Sequence, residues 1–435
     1  MESPGVDAVS PSNRPAFFGE PSAPSLAGRE QRKLRRLALL GNALPRRCGL
    51  ATYTTHVFNA LREVAPEVTV DHYAMVDPGK EYDFPSSVRG VIAQEEPGAY
   101  RAAAAHIARS GADLIWVQHE FGIFGGPAGS YLFDLLDAIE LPVAVTLHTV
   151  LDQPDDDQRR VMKRLAGRAA LLIVMSRRGR EIMADEYGVP WERLAVVPHG
   201  APDRPRLSPA AMRYLLGYED RKTVLTSGFL SPAKSIETMI EGMPAILDRC
   251  PEALYRIVGV THPHLVAREG EAYRESLMAL AERRGVAAQL RWEPNFLDEE
   301  TLLDRITAAD VYVTPYANPA QTTSGTLSYA FALGKPIVST PYAHAVELLG
   351  SGLGRLVDFG DVRGIAKAVG SWLADDAARE GCAARVWQAA RPTIWTSSSA
   401  RAVALLEALL SGTEPLVAVD ASGSAFSGPR SPNAA

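Results

Sequence analysis

The chain alternates short apolar runs with amphipathic stretches, and it does so twice. In the first half, apolar runs of strand length lie at 37–41, 68–76, 88–93, 113–118, 143–147, 171–175 and 194–197. Between them, residues 49–63, 100–110, 130–139, 156–166 and 176–188 carry helical spacing. In the first of these Val57, Ala60, Leu61 and Val64 fall on one face. Pro198, Gly200, Pro202 and Pro205 then form a stiff linker. The second half predicts strands at 223–227, 254–258, 289–292, 310–314, 337–340 and 354–358. Its helices fall at 235–248, 271–284, 298–309 and 324–334, and around Ile365, Val369, Trp372 and Leu373. Pro244 should kink the helix it interrupts. Strand–helix alternation builds parallel sheets. Two such blocks predict an α/β protein of two doubly wound domains facing across a cleft, 31–205 and 206–390. A last apolar helix at 402–410, preceded by Trp395, completes a segment at 391–411. Residues 1–30 and 412–435 are rich in Pro, Ser, Gly and Ala without periodicity, and predict a disordered leader and tail.

Charge and cysteine usage narrow the function. A net charge of −6 argues against a general nucleic-acid binder. Cys48, Cys250 and Cys382 are scattered, without metal or redox spacing, and suit a reducing cytoplasm. No apolar run is long enough to span a bilayer, and the N-terminus lacks a secretory pattern. Arg29, Arg32, Lys33, Arg35 and Arg36 form a basic cluster before the first strand. It reads as a solvated strand entrance or as a peripheral contact with an anionic membrane.

The stretch from Tyr316 to Pro336 carries the chemistry. Pro315, Asn318 and Pro319 forbid regular structure after a buried strand, and a helix starts near Ser324. Free N–H groups and the positive end of the helix dipole meet there. Gly325 admits a ligand to the backbone, and Thr323, Ser324 and Thr326 add hydroxyls. Together they suit a phosphate cradle. The plainer alternative is that Ser324 only caps the helix. Other candidates end strands. His148 follows 143–147, His119 and Glu120 follow 113–118, and His262 and His264 follow 254–258. Lys234 stands near a helix start. Arg46 and Arg47 precede one, either to bind an anionic acceptor or simply as exposed loop residues.

Five stretches, in this order and at the ends of predicted strands, resemble the family-four retaining glycosyltransferases. They are Pro45-Arg-Arg-Cys-Gly-Leu-Ala-Thr-Tyr53, Thr146-Leu-His-Thr149, Val196-Val-Pro-His-Gly-Ala-Pro202, Gly228-Phe-Leu-Ser-Pro-Ala-Lys234, and Gln321 to Pro336 with Thr340-Pro-Tyr342 and Glu347 beyond. The resemblance implies the GT-B fold of two facing Rossmann-like domains. It implies a nucleotide-sugar in the second domain, the acceptor in the first, no divalent metal at the diphosphate, and a C-terminal helix crossing back to the first domain. It casts His148 and Lys234 as catalytic. It places Gly228, Lys234, Gly259, His262, Gln321, Thr323, Ser324, Gly325, Thr326 and Tyr329 around the donor, and Arg46, Gly49, His119 and Glu120 on the acceptor side. Glu347 reads either as a donor-side residue or as a solvated one, and Trp395 as a packing anchor. The chain departs from the family at Phe229, where an arginine is frequent, and at Gln321 and Tyr329, where many members carry glutamates. The implied activity is transfer of a glucose- or mannose-type hexose from a UDP- or GDP-linked donor to a sugar, lipid-linked or small-molecule hydroxyl. A disaccharide phosphorylase or synthase, or a non-catalytic nucleotide-sugar-binding protein, stay open as alternatives.

Overall fold

The computed structural model describes residues 33–413. The expected leader, with Arg29 and Arg32, and all of the expected tail beyond Thr413 lie outside the described residues. The first block contains strands β1 (Arg36–Gly41), β2 (Thr69–Val76), β3 (Val88–Ala93), β4 (Leu114–His119), β5 (Val143–Leu147), β6 (Leu171–Val174) and β7 (Leu194–Val196). Helices α1 (Gly49–Val64), α2 (Pro97–Ser110), α3 (Leu132–Leu136), α4 (Asp156–Arg168) and α5 (Arg177–Asp185) connect them. The strands form one parallel sheet in the order β3-β2-β1-β4-β5-β6-β7. Every residue of β4 and β5 is buried, because helices cover both faces.

The second block follows α6 (Pro209–Leu215). Its strands are β8 (Thr223–Ser227), β9 (Leu254–Val258), β10 (Leu290–Glu293), β11 (Val311–Thr314), β12 (Ile337–Ser339) and β13 (Arg355–Leu356). Its helices are α7 (Ile236–Leu247), α8 (Pro263–Glu269), α9 (Ala272–Arg283), α10 (Glu299–Ala308), α11 (Gly325–Ala332), α12 (Ala343–Leu349), α13 (Val362–Ala374) and α14 (Asp376–Ala389). The sheet is again parallel, in the order β10-β9-β8-β11-β12-β13. Strand order reverses between β1 and β4 in one sheet and between β8 and β11 in the other. Such switch points open crevices at the carboxyl ends of the strands. Gly41, His119, Ser227 and Thr314 end those four strands.

The long helix α15 (Trp395–Ser411) returns to the first block. Trp395, Ala402, Leu405 and Leu406 join a core with Leu37, Leu39, Val57 and Leu61. The two passages between the blocks are tied together: Ala201 N donates to Thr393 O at 3.0 Å, and Trp395 N to Ala201 O at 2.8 Å.

Several expectations need correction. The helix expected at 130–139 shrinks to α3, after a tight turn at Pro127–Gly129. Gly126 and Gly129 adopt φ of 76° and 84°, so the chain enters from a turn, and α3 begins only at Leu132. Helices α6, α8 and α14 stand where periodicity predicted none. In α14 the buried residues are only Cys382, Ala383 and Val386, too few to write an apolar stripe.

Candidate active site

The second block builds a cradle at its switch point. Gly228 and Gly259 take φ of +115° and +133°. A Cβ at Gly259 would lie 2.2 Å from Gly228 O, so the loops after β8 and β9 touch backbone to backbone. A Cβ at Gly228 would lie 3.9 Å from Lys234 Nζ and 3.5 Å from Thr326 Cγ2. Three candidates thus border one small space. Lys234 ends a short turn, Pro232–Lys234, and its ammonium lies 3.7 Å from the centre of the Tyr316 ring. Tyr316 OH meets Thr326 Oγ1 at 2.9 Å. Burial alone would raise the Tyr316 phenol. The Lys234 charge and surrounding hydroxyl bonds outweigh it and hold the phenol below its ordinary value.

Ser324 caps α11, its Oγ accepting from Leu327 N at 3.4 Å. The N–H groups of Gly325 and Thr326 keep no partner among the described residues. His344 fixes the loop: its Nδ1 accepts from Ser324 N at 2.9 Å and its own N–H donates to Gln321 O at 3.1 Å. Gln321 turns Nε2 onto Thr323 O at 3.0 Å, within its own loop. Tyr329 lies one helical turn beyond Gly325. It is buried and donates its hydroxyl to Glu299 Oε2 at 2.8 Å. Burial and that carboxylate push the Tyr329 hydroxyl well up. The same Glu299 oxygen lies 2.7 Å from His56 Nε2, on α1 of the other block.

The first block faces this cradle with buried polar groups. His148 Nε2 meets Gln118 Oε1 at 3.0 Å, and its ring stands edge-on to Tyr53 with centres 4.5 Å apart. Burial, reinforced by His199 and His119, holds the His148 ring well below its ordinary value and therefore neutral. His119 is wholly buried against Phe121 and Phe124, with neither ring nitrogen partnered among the described residues. Its value falls to about 4 through burial. Glu120 accepts from Phe121 N at 3.0 Å and Thr149 Oγ1 at 2.5 Å, and burial raises its carboxyl.

Arg46 is internally engaged. It donates to Asn42 Oδ1 at 2.8 Å and Asp77 Oδ1 at 2.6 Å, so its charge is neutralised within the fold. Gly49 opens α1, capped by Cys48, whose Sγ accepts from Ala51 N. Phe229 packs at 5.4 Å from His262 and 6.1 Å from Phe296. His262 stacks on His264, and among the described residues no group of three or more His, Cys, Asp or Glu is placed to hold a metal.

Sequence reasoning passed over His199, which joins the two halves. A Cβ at Gly325 would lie 3.4 Å from His199 Nε2. Its ring also packs against Tyr53 at 5.0 Å and Trp395 at 5.8 Å, and burial lowers it to about 4. Its signal was its place in the Val196 to Pro202 stretch, just past the end of β7. Glu299, His56 and His344 gave no comparable signal. Glu347 crosses the cleft, both its oxygens accepting from Arg177 N at the start of α5, at 3.0 and 2.8 Å.

Residues 48–203 match the family model for glycosyltransferase family 4, and residues 211–387 that for glycosyl transferases group 1. A GDP-mannose-dependent alpha-(1-6)-phosphatidylinositol monomannoside mannosyltransferase of Mycolicibacterium smegmatis is 31% identical over 265 residues. That match covers 57% of this chain and 65% of the relative, just under two thirds of its length. A phosphatidyl-myo-inositol mannosyltransferase of the same organism is 25% identical, over 81% of this chain and 85% of the relative. A D-inositol 3-phosphate glycosyltransferase of Corynebacterium glutamicum is 26% identical, over 66% and 70%. Among solved structures, Anabaena HepE in complex with UDP superposes with a TM-score of 0.66 at 17% identity, covering 85% of this chain and 98% of that one. Two parallel-sheet Rossmann-like blocks, a returning terminal helix and family matches to both blocks agree: the chain has the GT-B fold and belongs to the family-four, group 1 glycosyltransferases.

Proposed function

We propose that the protein moves a hexose of glucose or mannose type from a UDP- or GDP-linked donor to an acceptor hydroxyl, with retention at the anomeric carbon and without a metal at the diphosphate. The observation that carries this reading is the cradle at the start of α11. The unpartnered N–H groups of Gly325 and Thr326 and the nearby Lys234 ammonium share one space, kept open by the missing side chain of Gly228. When the anomeric carbon–oxygen bond breaks, negative charge grows on the leaving diphosphate. Fixed donors already aimed there stabilise it without reorganising. The acceptor oxygen bonds to the anomeric carbon, and its proton passes to the departing phosphate oxygen. Gly228, Gly259, Thr323, Ser324 and Thr326 shape the cradle. Gln321 and His262 border the sugar and nucleoside sides.

His148, kept neutral by burial, orients the transferred sugar from the first block. His119, Glu120 and Gly49 flank the acceptor path, and Arg46 shapes its loop through Asp77 rather than meeting an anion directly. The names of the three relatives each contain an inositol-bearing acceptor, which makes inositol phosphates and phosphatidylinositols the first acceptors to try. A cytoplasmic enzyme touching a membrane through Lys33 and Arg35, both exposed, fits a lipid acceptor. Arg36 is already paired with Asp71 at 2.7 Å.

The test is incubation with UDP- and GDP-linked glucose and mannose, with and without chelator, following donor hydrolysis and then the product anomer by NMR. Turnover of one donor with retained configuration, unaffected by chelator, is the expected result. Inversion refutes the stereochemistry, and loss of turnover with chelator refutes metal independence.

A further inference from the structure

His199 follows β7 on the passage into the second block, and its ring lies between the two halves of the site. Its Nδ1 stands 2.7 Å from Gly200 O. A carbonyl only accepts, so Nδ1 carries the hydrogen of the neutral ring and Nε2 carries the lone pair. Nε2 has no hydrogen-bond partner among the described residues. It lies at the start of α11: a Cβ at Gly325 would be 3.4 Å from it, where the N–H groups of Gly325 and Thr326 are unpartnered as well.

The charge balance of this space is incomplete. Lys234 brings one ammonium to it. Phe229, next to Gly228, brings none, and Arg46 is committed to Asp77. A nucleotide-sugar diphosphate carries more than one negative charge. Its oxygens would be repelled by the lone pair on Nε2 unless that nitrogen first takes a proton. In the protonated ring both nitrogens donate, one to Gly200 O and the other to the ligand, without any rotation. The groups facing the ring set how readily it charges. In the free protein burial lowers it to about 4, against the Gly200 carbonyl and Glu299 on α10, which raise it, while His56 on α1 lowers it further. The Tyr53 and Tyr329 rings pack against it, and the rings of His148 and His344 lie close enough to feel its charge. A diphosphate at Gly325 adds an opposite charge in contact, which favours the protonated ring.

Resting on the donor-site reading above, we infer that His199 takes up one proton when the donor binds and becomes a second cationic contact of the diphosphate, beside Lys234. The proton comes from solvent and adds to Nε2, and no other bond is made or broken. Donor affinity is thereby tied to pH. The bound state holds one proton more than the free state, so affinity is highest in mild acid. It falls by up to about tenfold per pH unit as pH rises, and levels off once the ring in the complex has also lost its proton.

The experiment measures binding of UDP- and GDP-linked glucose and mannose to the full chain by calorimetry, in pairs of buffers that differ in heat of protonation. The bridging diphosphate of these ligands does not titrate near neutral pH, so a proton taken up belongs to the protein. Wild type should take up a proton with its donor at about pH 6, and less of one at about pH 8. Two variants test the assignment: His199→Gln, and His199→Phe, which keeps a ring against Tyr53 and Trp395. Both should take up none and bind about ten- to a hundred-fold more weakly at about pH 6, with the gap narrowing as pH rises. His56→Gln and His148→Ala should keep the uptake, and Lys234→Ala should weaken binding and keep it too. Thermal melts establish that each variant is folded. If wild type binds a donor without proton uptake, Nε2 stays a lone-pair acceptor for a sugar hydroxyl, and the inference is overturned while the donor site stands. Uptake that survives in a folded His199 variant overturns it equally. If wild type binds none of the donors in any buffer, the donor-site reading falls and takes this inference with it.

Discussion

The Lys234 ammonium rests 3.7 Å from the centre of the Tyr316 ring, and the Tyr316 hydroxyl rests 2.9 Å from Thr326 Oγ1. One ring therefore aims a cation and a helix-terminal hydroxyl at the same space. Lys234→Ala should weaken nucleoside-diphosphate binding about ten- to a hundred-fold, the worth of a hydrogen bond to a charged group. Tyr316→Phe keeps the ring under the ammonium and should cost less than Tyr316→Leu, which removes it. Titration calorimetry on folded variants reads both. Wild-type affinity in Lys234→Ala would remove the cradle from the donor site.

Gly325 separates a cap from a binding site. Its Cβ position is 3.4 Å from His199 Nε2, so Gly325→Leu must push into that ring or into the ligand space. Diphosphate binding should disappear, with a stability loss of about 1–3 kcal/mol from overpacking. Ser324→Ala should lose about 1 kcal/mol of stability through the cap and bind nearly as wild type. Unfolding curves and binding isotherms distinguish the two. Unchanged binding in Gly325→Leu means that the loop only begins a helix.

His148 is bound to Gln118 and wedged against Tyr53, and its ring is neutral. On the proposed reading, in which His148 orients the sugar and leaves the diphosphate to the other block, His148→Ala should lower turnover more than donor affinity. Separate determination of turnover and donor dissociation constant checks this. A variant with wild-type turnover leaves His148 a structural residue.

Acid stability follows from the buried imidazoles. Burial lowers His119 and His199 to about 4 and His344 to about 3, from an ordinary 6.5. Between those values and 6.5 the unfolded chain binds protons that the folded chain refuses, so stability is complete above pH 6.5 and falls as pH drops towards 4. Each such group adds a slope of about 1.4 kcal/mol per pH unit in that window. Denaturant unfolding of wild type and His344→Gln across pH 4–7 should give a shallower dependence in the variant. Parallel curves contradict a neutral buried His344.

The sequence made the sheet strands legible because parallel strands covered on both faces are written as short apolar runs. Strands β5, β8 and β9, buried at every residue, fall where those runs do. The cap at Ser324 was equally local, since a hydroxyl one residue before a helix reports on itself. Side-chain engagement was not. The Arg46 charge is cancelled by Asp77, 31 residues away, and the Tyr329 hydroxyl turns to Glu299, 30 residues away. Neither partner is visible from the motif that contains the first residue. His199 could have been found from its place beyond β7. Its contact with Gly325 depends on how the two blocks meet, which no periodicity encodes.

The terminal helix reverses the order in which the molecule is made and completed. Trp395, Ala402, Leu405 and Leu406 finish the core behind Leu37, Leu39 and α1, and Trp395 sits so close to Gly200 that a Cβ there would lie 1.9 Å from its ring. During synthesis the first block emerges early, yet one of its faces stays uncovered until the second block and α15 have been translated. The first block cannot close as a unit on its own nascent chain. A two-piece version of the protein must therefore assign residues 395–411 to the first block despite their place at the far end of the sequence.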